Sequence, residues 1–295
     1  MAKYMIWLAL LAYVGASSIE DPEVWNNLKE NYYIPPSLKE LFLEHKPDED
    51  VDRIVGGQVA PPNAFPHQVG LGLTTTTGQQ SWCGGSIISE RFIVTAAHCM
   101  DNIMYATVML GGHDRENPAE PGRVTVRVSM ANFIVHSGWN AQRMIHDIAL
   151  IKLPTPITFT DKIKPVALPT RTHAAMTFEG HTATISGWGR DESGQLSRLL
   201  KFTKTPVVSN NICQRYFGQM VHSSNICLDG SQARGTCHGD SGGPLIIDTT
   251  EGTVIVGLTS FGNPYNCQAR WPTAYTRVSS YLSWISMNTG IPIRN

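Results

Sequence analysis

The stretch GTCHGDSGGPL, residues 235 to 245, holds Ser241 between glycines, where its hydroxyl could attack a carbonyl. A serine hydroxyl is a weak nucleophile at neutral pH and needs a neighbouring base to take its proton. Gly239-Asp240-Ser241-Gly242-Gly243 also satisfies G-x-S-x-G, the elbow of α/β-hydrolases, whose histidine follows the serine. No histidine lies beyond residue 241. The elbow reading has no base, so any base for Ser241 comes from earlier in the chain.

His98 stands out among the histidines. In FIVTAAHCM an apolar run ends in two alanines, then His98 and Cys99. The alanines leave room around the ring, and a bridged Cys99 would pin the backbone beside it. A base has to be held within hydrogen-bond reach of its nucleophile, which gives such pinning a purpose. A third group must hold the imidazole in one tautomer and stabilise its charged form. Asp147 opens the apolar run HDIALIKL. A carboxylate leading into a buried strand is costly unless paired. A cap or a surface ion pair would satisfy it, and so would an imidazole.

The elements that must position these residues read as β-strands. HQVGLGL, RFIVTAA, ATVMLGG, VTVRVSMANFIV, IALIKL, TATISGWG and VIVGLTSFG recur between Gly, Pro, Asn and Asp. That spacing predicts an all-β sandwich or barrel rather than βαβ units. Closing strands into barrels removes exposed edges, and about 240 residues suit two barrels. One helix is predicted at the end, capped by Ser279 or Ser280 and stopped by Gly290 and Pro292. Thr74 to Thr77 reads as a loop tip.

The chain has 295 residues and a net charge of -1, which gives no cue for nucleic acid. Lys3, the apolar run Met5 to Val14 and small residues before Ser17 predict a secretory signal over 1–16. The run is too short to span a membrane, which takes roughly 20 apolar residues. Segment 17–53 carries 10 acidic and 4 basic residues, a charge of -6; from 54 to 295 there are 14 acidic and 18 basic, or +4. Ser37-Leu38-Lys39-Glu40 matches a capping box, and segment 17–53 reads as a solvated linker or a removable pro-segment. Six cysteines, at 83, 99, 213, 227, 237 and 267, fit an oxidising compartment. Their spacing does not choose among the 15 pairings six cysteines allow, and no C-x2-C suggests zinc.

In order, IVGG, TAAHC, DIAL, SGWG, GDSGGPL and SFG occur over about residues 54 to 290. As a set they resemble the chymotrypsin-like serine proteases of the trypsin superfamily; the general texture is similar to secreted arthropod enzymes of the chymotrypsin and brachyurin groups. The resemblance implies two packed six-stranded antiparallel β-barrels over 54–295, with a C-terminal helix. It implies that Ser241 attacks the peptide bond, His98 moves the proton and Asp147 orients His98, with the N–H groups of Gly239 and Ser241 as oxyanion hole. It pairs Cys83 with Cys99, Cys213 with Cys227 and Cys237 with Cys267, each bridge worth on the order of 3 kcal/mol in the chain-entropy model. Ser260-Phe261-Gly262 would offer substrate a strand edge. Many relatives carry Trp where Phe261 stands, and Phe keeps an aromatic wall.

The resemblance also implies a precursor activated by a trypsin-like protease after Arg53, the new amine of Ile54 folding inward to pair with Asp240. Gly235 at the pocket base, Gly262 at its neck and a neutral Thr273 predict bulky uncharged side chains before the scissile bond, with small, elastase-like residues as the alternative. Arg234 would disfavour basic substrates further if it points inward. Gly112 stands where the first carboxylate of a calcium loop would be, so no metal and no cofactor are expected. The expected partners are protein or peptide substrates, an activating protease and protein protease inhibitors, with a secreted monomer as the acting form. A protease-like binding protein without catalysis is the rival from another class.

Overall fold

The computed structural model of the chain describes residues 57–191 and 193–295. The predicted signal, the pro-segment with its capping box, Arg53 and Ile54 lie outside the described residues.

The strands form two sheets. The first runs in the order β6-β5-β2-β3-β4-β8-β7, with β2 (Gln68–Thr75), β3 (Gln80–Ile87), β4 (Phe92–Thr95), β5 (Ile103–Leu110), β6 (Val124–Ser129), β7 (Phe133–Val135) and β8 (Ala149–Lys152). Its two outer strands are consecutive in the chain, separated only by a 3-10 turn at Met130–Asn132. VTVRVSMANFIV is therefore one bent strand that leaves β5 and arrives on β8, which closes a six-stranded barrel. Val69, Leu71, Ile93, Val108 and Ile151 fill it.

The second sheet runs β10-β11-β14-β13-β12-β9, and β9 also pairs β10, which closes the barrel by hydrogen bonds. Its strands are β9 (Thr182–Gly187), β10 (Lys201–Val208), β11 (Asn225–Leu228), β12 (Pro244–Thr249), β13 (Gly252–Phe261) and β14 (Thr273–Arg277); β1 (Gln58–Val59) adds to the edge of β10. Ile185, Val207, Ile226, Leu245 and Tyr275 fill this barrel. A third cluster, with Val94, Leu150, Ile246, Leu258 and Ile285, cements the two barrels together. The body of the chain is thus all-β, as its recurring short β-rich runs predict.

Among the described residues there are three short α-helices: α1 (Arg171–Ala174), α2 (Asn210–Phe217) and α3 (Leu282–Thr289). The C-terminal helix starts later than its serines suggest. A 3-10 turn occupies Val278–Tyr281, no side chain caps α3, and Gly290 ends it in the left-handed conformation. Helix α2 was not predicted, although Ser209 caps it by accepting the Ile212 N–H. Three disulfides link Cys83–Cys99, Cys213–Cys227 and Cys237–Cys267.

Candidate active site

Strand pairing brings the first two residues together. β4 and β8 run antiparallel with Thr95 opposite Ala149. His98 lies just past the end of β4 and Asp147 just before the start of β8, so both stand at the same end of one ladder. The Cys83–Cys99 bridge ties the turn carrying His98 to β3. Asp147 grips His98 twice: Oδ1 accepts the His98 backbone N–H at 2.9 Å, and Oδ2 meets Nδ1 at 2.8 Å. The Asp147 side chain is 0% exposed and that of His98 12% exposed.

The pair favours its ionised form. Burial pushes the Asp147 carboxyl up, but the His98 charge and the hydrogen bonds from His98 and Ser260 outweigh it and hold it below its usual range. Burial pulls His98 down, and the charge and hydrogen bond of Asp147, with Asp101 behind them, overcome it and raise it above 6.5. Ser260 Oγ donates to Asp147 Oδ2 at 2.5 Å, and Thr276 Oγ1 donates to the Asp147 carbonyl at 2.7 Å. Neither contact has a signal in the sequence; both depend on β13 and β14 packing across the barrel interface.

The second barrel delivers Ser241 on the loop before β12. The Ser241 carbonyl accepts the N–H of Gly84 at 2.7 Å, which bolts this loop to β3 of the first barrel. Gly239 has φ +94°, and a Cβ there would stand 2.4 Å from Leu196 Cδ2, so only glycine fits. Among the described residues no acceptor meets the backbone N–H of Gly239 or of Ser241. His98, Gly239 and Ser241 line one cleft of about 570 Å³ with Ser260, Phe261 and Gly262. Among the described residues Ser241 Oγ and His98 Nε2 share this cleft without a hydrogen bond between them, and Nε2 lies 3.8 Å from Cys99 Sγ. Phe261 packs edge-on against Phe217 and forms an aromatic wall. Met144, held at φ +48°, also lines the cleft and had no sequence signal.

Gly235 and Thr273 do not reach the cleft lining. Thr273 is buried, and its Cγ2 stands 3.1 Å from where a Cβ on Gly235 would lie and 3.3 Å from one on Gly262. Its hydroxyl meets Tyr275 at 2.9 Å. The Thr273 methyl therefore lies between neck and base. Arg234 is exposed.

Behind the serine loop, Asp240 is buried and accepts N–H groups from Gly189 at 2.8 Å and Cys237 at 3.0 Å. The glycines of SGWG make room for it: a Cβ on Gly187 or Gly189 would fall 2.1 or 2.4 Å from its carboxylate oxygens. Burial pushes this carboxyl up to about 6. Asp240, Gly235 and Gly57 line a separate small cavity.

The loop after β5 does not fit a calcium ion. Glu120 Oε2 accepts the N–H groups of His113 and Asp114, Asp114 pairs with Arg198, and Glu116 pairs with Arg115. Arg123 Nη1 donates to the carbonyls of Asp114, Arg115 and Asn117. The acids and carbonyls that would face a cation are already engaged by protein donors. Among the described residues, the two Cys-His clusters contain disulfide-bonded sulfurs, which are not free to bind metal. No described helix is long and apolar enough to cross a membrane.

The family model described as Trypsin matches residues 54–285. The chain is 40% identical over 240 residues to brachyurin of Leptuca pugilator, covering 81% of this chain and 99% of that protein. It is 35% identical over 295 residues to chymotrypsin of Phaedon cochleariae, covering 98% of each. A solved HL collagenase structure superposes with a TM-score of 0.74 at 34% identity, covering 81% of this chain and all of that one.

Proposed function

The chain belongs to the trypsin family of serine proteases, and from that premise we propose a secreted enzyme that cuts peptide bonds after uncharged residues with Ser241, His98 and Asp147. The carrying observation is the double hold of buried Asp147 on His98, in a cleft that also presents Ser241 and two unspent backbone N–H groups. Ser241 Oγ attacks the peptide carbonyl as His98 Nε2 takes its proton. Asp147 fixes the tautomer with the proton on Nδ1 and stabilises the imidazolium. The N–H groups of Gly239 and Ser241 receive the developing oxyanion. His98 then protonates the leaving amine, and water repeats the sequence on the acyl-enzyme. The Ser241–His98 hydrogen bond, absent in the free enzyme, forms as substrate seats.

The enzyme is made as a precursor. Lys3 and the apolar run after it direct secretion, and the full pairing of six cysteines supports an oxidising destination. A trypsin-like protease cuts after Arg53. The Ile54 ammonium then enters the cavity beside Asp240, whose buried charge otherwise lacks a cation. The mature enzyme acts as a monomer on proteins and peptides and is open to protein inhibitors. Neutral Gly235 and Thr273 favour Leu, Met, Phe and Tyr before the scissile bond. The Thr273 methyl supports a second reading, in which smaller residues are preferred.

Labelling with a serine-directed organophosphate tests the core of this. The chain cut after Arg53 takes up one label at Ser241, and Ser241→Ala takes up none. A wild-type cut chain that resists the label is a binding protein, not a protease.

A further inference from the structure

Under the reading above Asp147 orients His98, and what orients Asp147 is the residue before it. His146 has φ +59°, in the left-handed region. Histidine enters that region more readily than most residues, while a β-branched residue there is an outlier. The His146 carbonyl accepts the N–H of Ile148 at 2.8 Å, a tight turn with Asp147 at its centre. The direction of this turn sets where the Asp147 carboxylate points as the chain enters β8.

The His146 ring is clamped. It stacks on His136 with centroids 4.5 Å apart and 21° between planes, and its Nδ1 meets the Tyr281 hydroxyl at 3.1 Å. Tyr281 stands edge-on to both imidazoles, at 5.5 and 5.9 Å. His136 is held by the Gly138 N–H on its Nδ1 at 3.1 Å and packs against Trp284 of α3. A Cβ on Gly138 would come within 2.8 Å of His146 Cδ2, so this approach needs glycine. A metal does not explain the pair, because stacked rings aim their lone pairs side by side and not at one point. Simple packing does not explain it either, since an apolar residue would fill the space without needing a left-handed backbone.

We infer that His146 is a positioning residue for peptide hydrolysis: its ring, clamped by His136 and Tyr281, holds the left-handed turn that aims Asp147 at His98. It touches no substrate and acts through Asp147. The inference rests on Asp147 being catalytic, and the test separates the two.

The test uses the chain cut after Arg53. His146→Val, which opposes the left-handed turn, lowers kcat about tenfold to a hundredfold with KM unchanged, the range expected when a catalytic group is displaced without loss of substrate binding. Its low-field proton resonance from the His98–Asp147 hydrogen bond shifts or broadens. His146→Asn, which tolerates the same backbone but has no ring to stack on His136, recovers only part of the lost kcat and of the resonance; complete recovery would overturn the role of the ring. If His146→Val does not fold, His146→Ala carries the same comparison with His146→Asn. Asp147→Asn is measured alongside and drops kcat by about 10⁴-fold. Wild-type kcat and resonance in His146→Val, with Asp147→Asn inactive, overturn this inference alone. Full activity in Asp147→Asn overturns the triad reading and this inference with it.

Discussion

Ser260 and His98 share one acceptor: Asp147 Oδ2 receives the Ser260 hydroxyl at 2.5 Å and faces His98 Nδ1 at 2.8 Å. The hydroxyl stabilises the carboxylate where burial penalises it most, and a neutral donor there does not compete for the His98 proton. Ser260→Ala leaves this buried oxygen one donor short. Removing a hydrogen bond to a buried charge is worth about 1.5–3 kcal/mol. Part of that falls on folding and part on kcat, so kcat drops roughly threefold to thirtyfold. Steady-state kinetics with one ester and one amide substrate, together with Tm, apportion the loss. An unchanged kcat and Tm would show that the bond does nothing.

The pH profile of kcat/KM reports His98. Its charge is favoured by Asp147 and Asp101 beyond what burial removes, so its folded value lies above 6.5. The imidazolium cannot take the Ser241 proton. Activity is therefore present above that value and lost as pH falls through it, with a midpoint above 6.5. Asp147→Asn removes the charge and leaves the burial, so its residual activity shows an acid midpoint shifted downward. A midpoint that does not move assigns the acid limb to another group.

Asp240 gives the precursor a distinct signature. Its carboxyl moves from 3.8 unfolded to about 6 in the fold, so the protonated form is the favoured one. Stability from this group is fully present below 3.8 and is lost as pH rises through about 6. The loss is on the order of 3 kcal/mol at 1.36 kcal/mol per unit. The uncut Arg53→Ala chain should therefore lose stability across that window, and Arg53→Ala/Asp240→Asn should lose less. The slope of urea-unfolding free energy against pH is the measurement, since it is insensitive to the hydrogen bond the amide distorts. Equal slopes would remove Asp240 as an uncompensated charge, and trypsin activation of Arg53→Ala would remove the cleavage site.

His67 works in the opposite direction. It is buried just before β2, its Nε2 has no hydrogen-bond partner among the described residues, and burial alone lowers it from 6.5 to about 4. Its neutral form is the favoured one, so its contribution is present above 6.5 and is lost as pH falls through about 4. That is again on the order of 3 kcal/mol. His67→Phe keeps an aromatic ring beside Phe65 and should hold its Tm better between pH 6 and 4 (about the same window) than wild type. Parallel Tm curves would sink the assignment.

FIVTAA and IALIKL were legible as β4 and β8 because each is a short unbroken apolar run, buried at nearly every residue. QSWCGGSI did not read as a strand, because polar residues and glycines interrupt its apolar run, and Gly84 is needed where the chain approaches Gly243. The serine, histidine and aspartate were legible through their flanking motifs. Their supports were not. Thr276 and Ser260 reach Asp147 from more than a hundred residues away, and no local pattern encodes that. The closeness of Gly187 to Asp240 explains SGWG only once β9 and the serine loop are folded against each other. The calcium question turned on Arg123, whose distance from Asp114 in the chain hid its role.

Under the proposed specificity, Thr273 sets how deep the pocket is. The cleft lining ends at Thr236 and Gly262, and Gly235 lies instead on the cavity beside Asp240. The Thr273 methyl fills the space between, 3.1 Å from the Cβ position of Gly235. Its hydroxyl is tied to Tyr275 at 2.9 Å, and Tyr275 meets Thr236 at 3.3 Å, so the floor is pinned by a hydroxyl chain and does not swing aside. Wild type should therefore cleave after Leu, Met and Phe at least as well as after Tyr, whose hydroxyl extends furthest toward this floor. Thr273→Gly removes the methyl and the hydroxyl together and joins the floor to Gly235. A methylene's worth of pocket space changes discrimination by about 1–3 kcal/mol, so kcat/KM for Tyr relative to Ala should rise roughly tenfold to a hundredfold. The measurement is kcat/KM on peptides that differ only before the scissile bond. An unchanged Tyr-to-Ala ratio would show that Thr273 is not the floor. A wild-type preference for Arg or Lys would overturn the uncharged pocket itself, because neither Gly235 nor Thr273 can balance that charge.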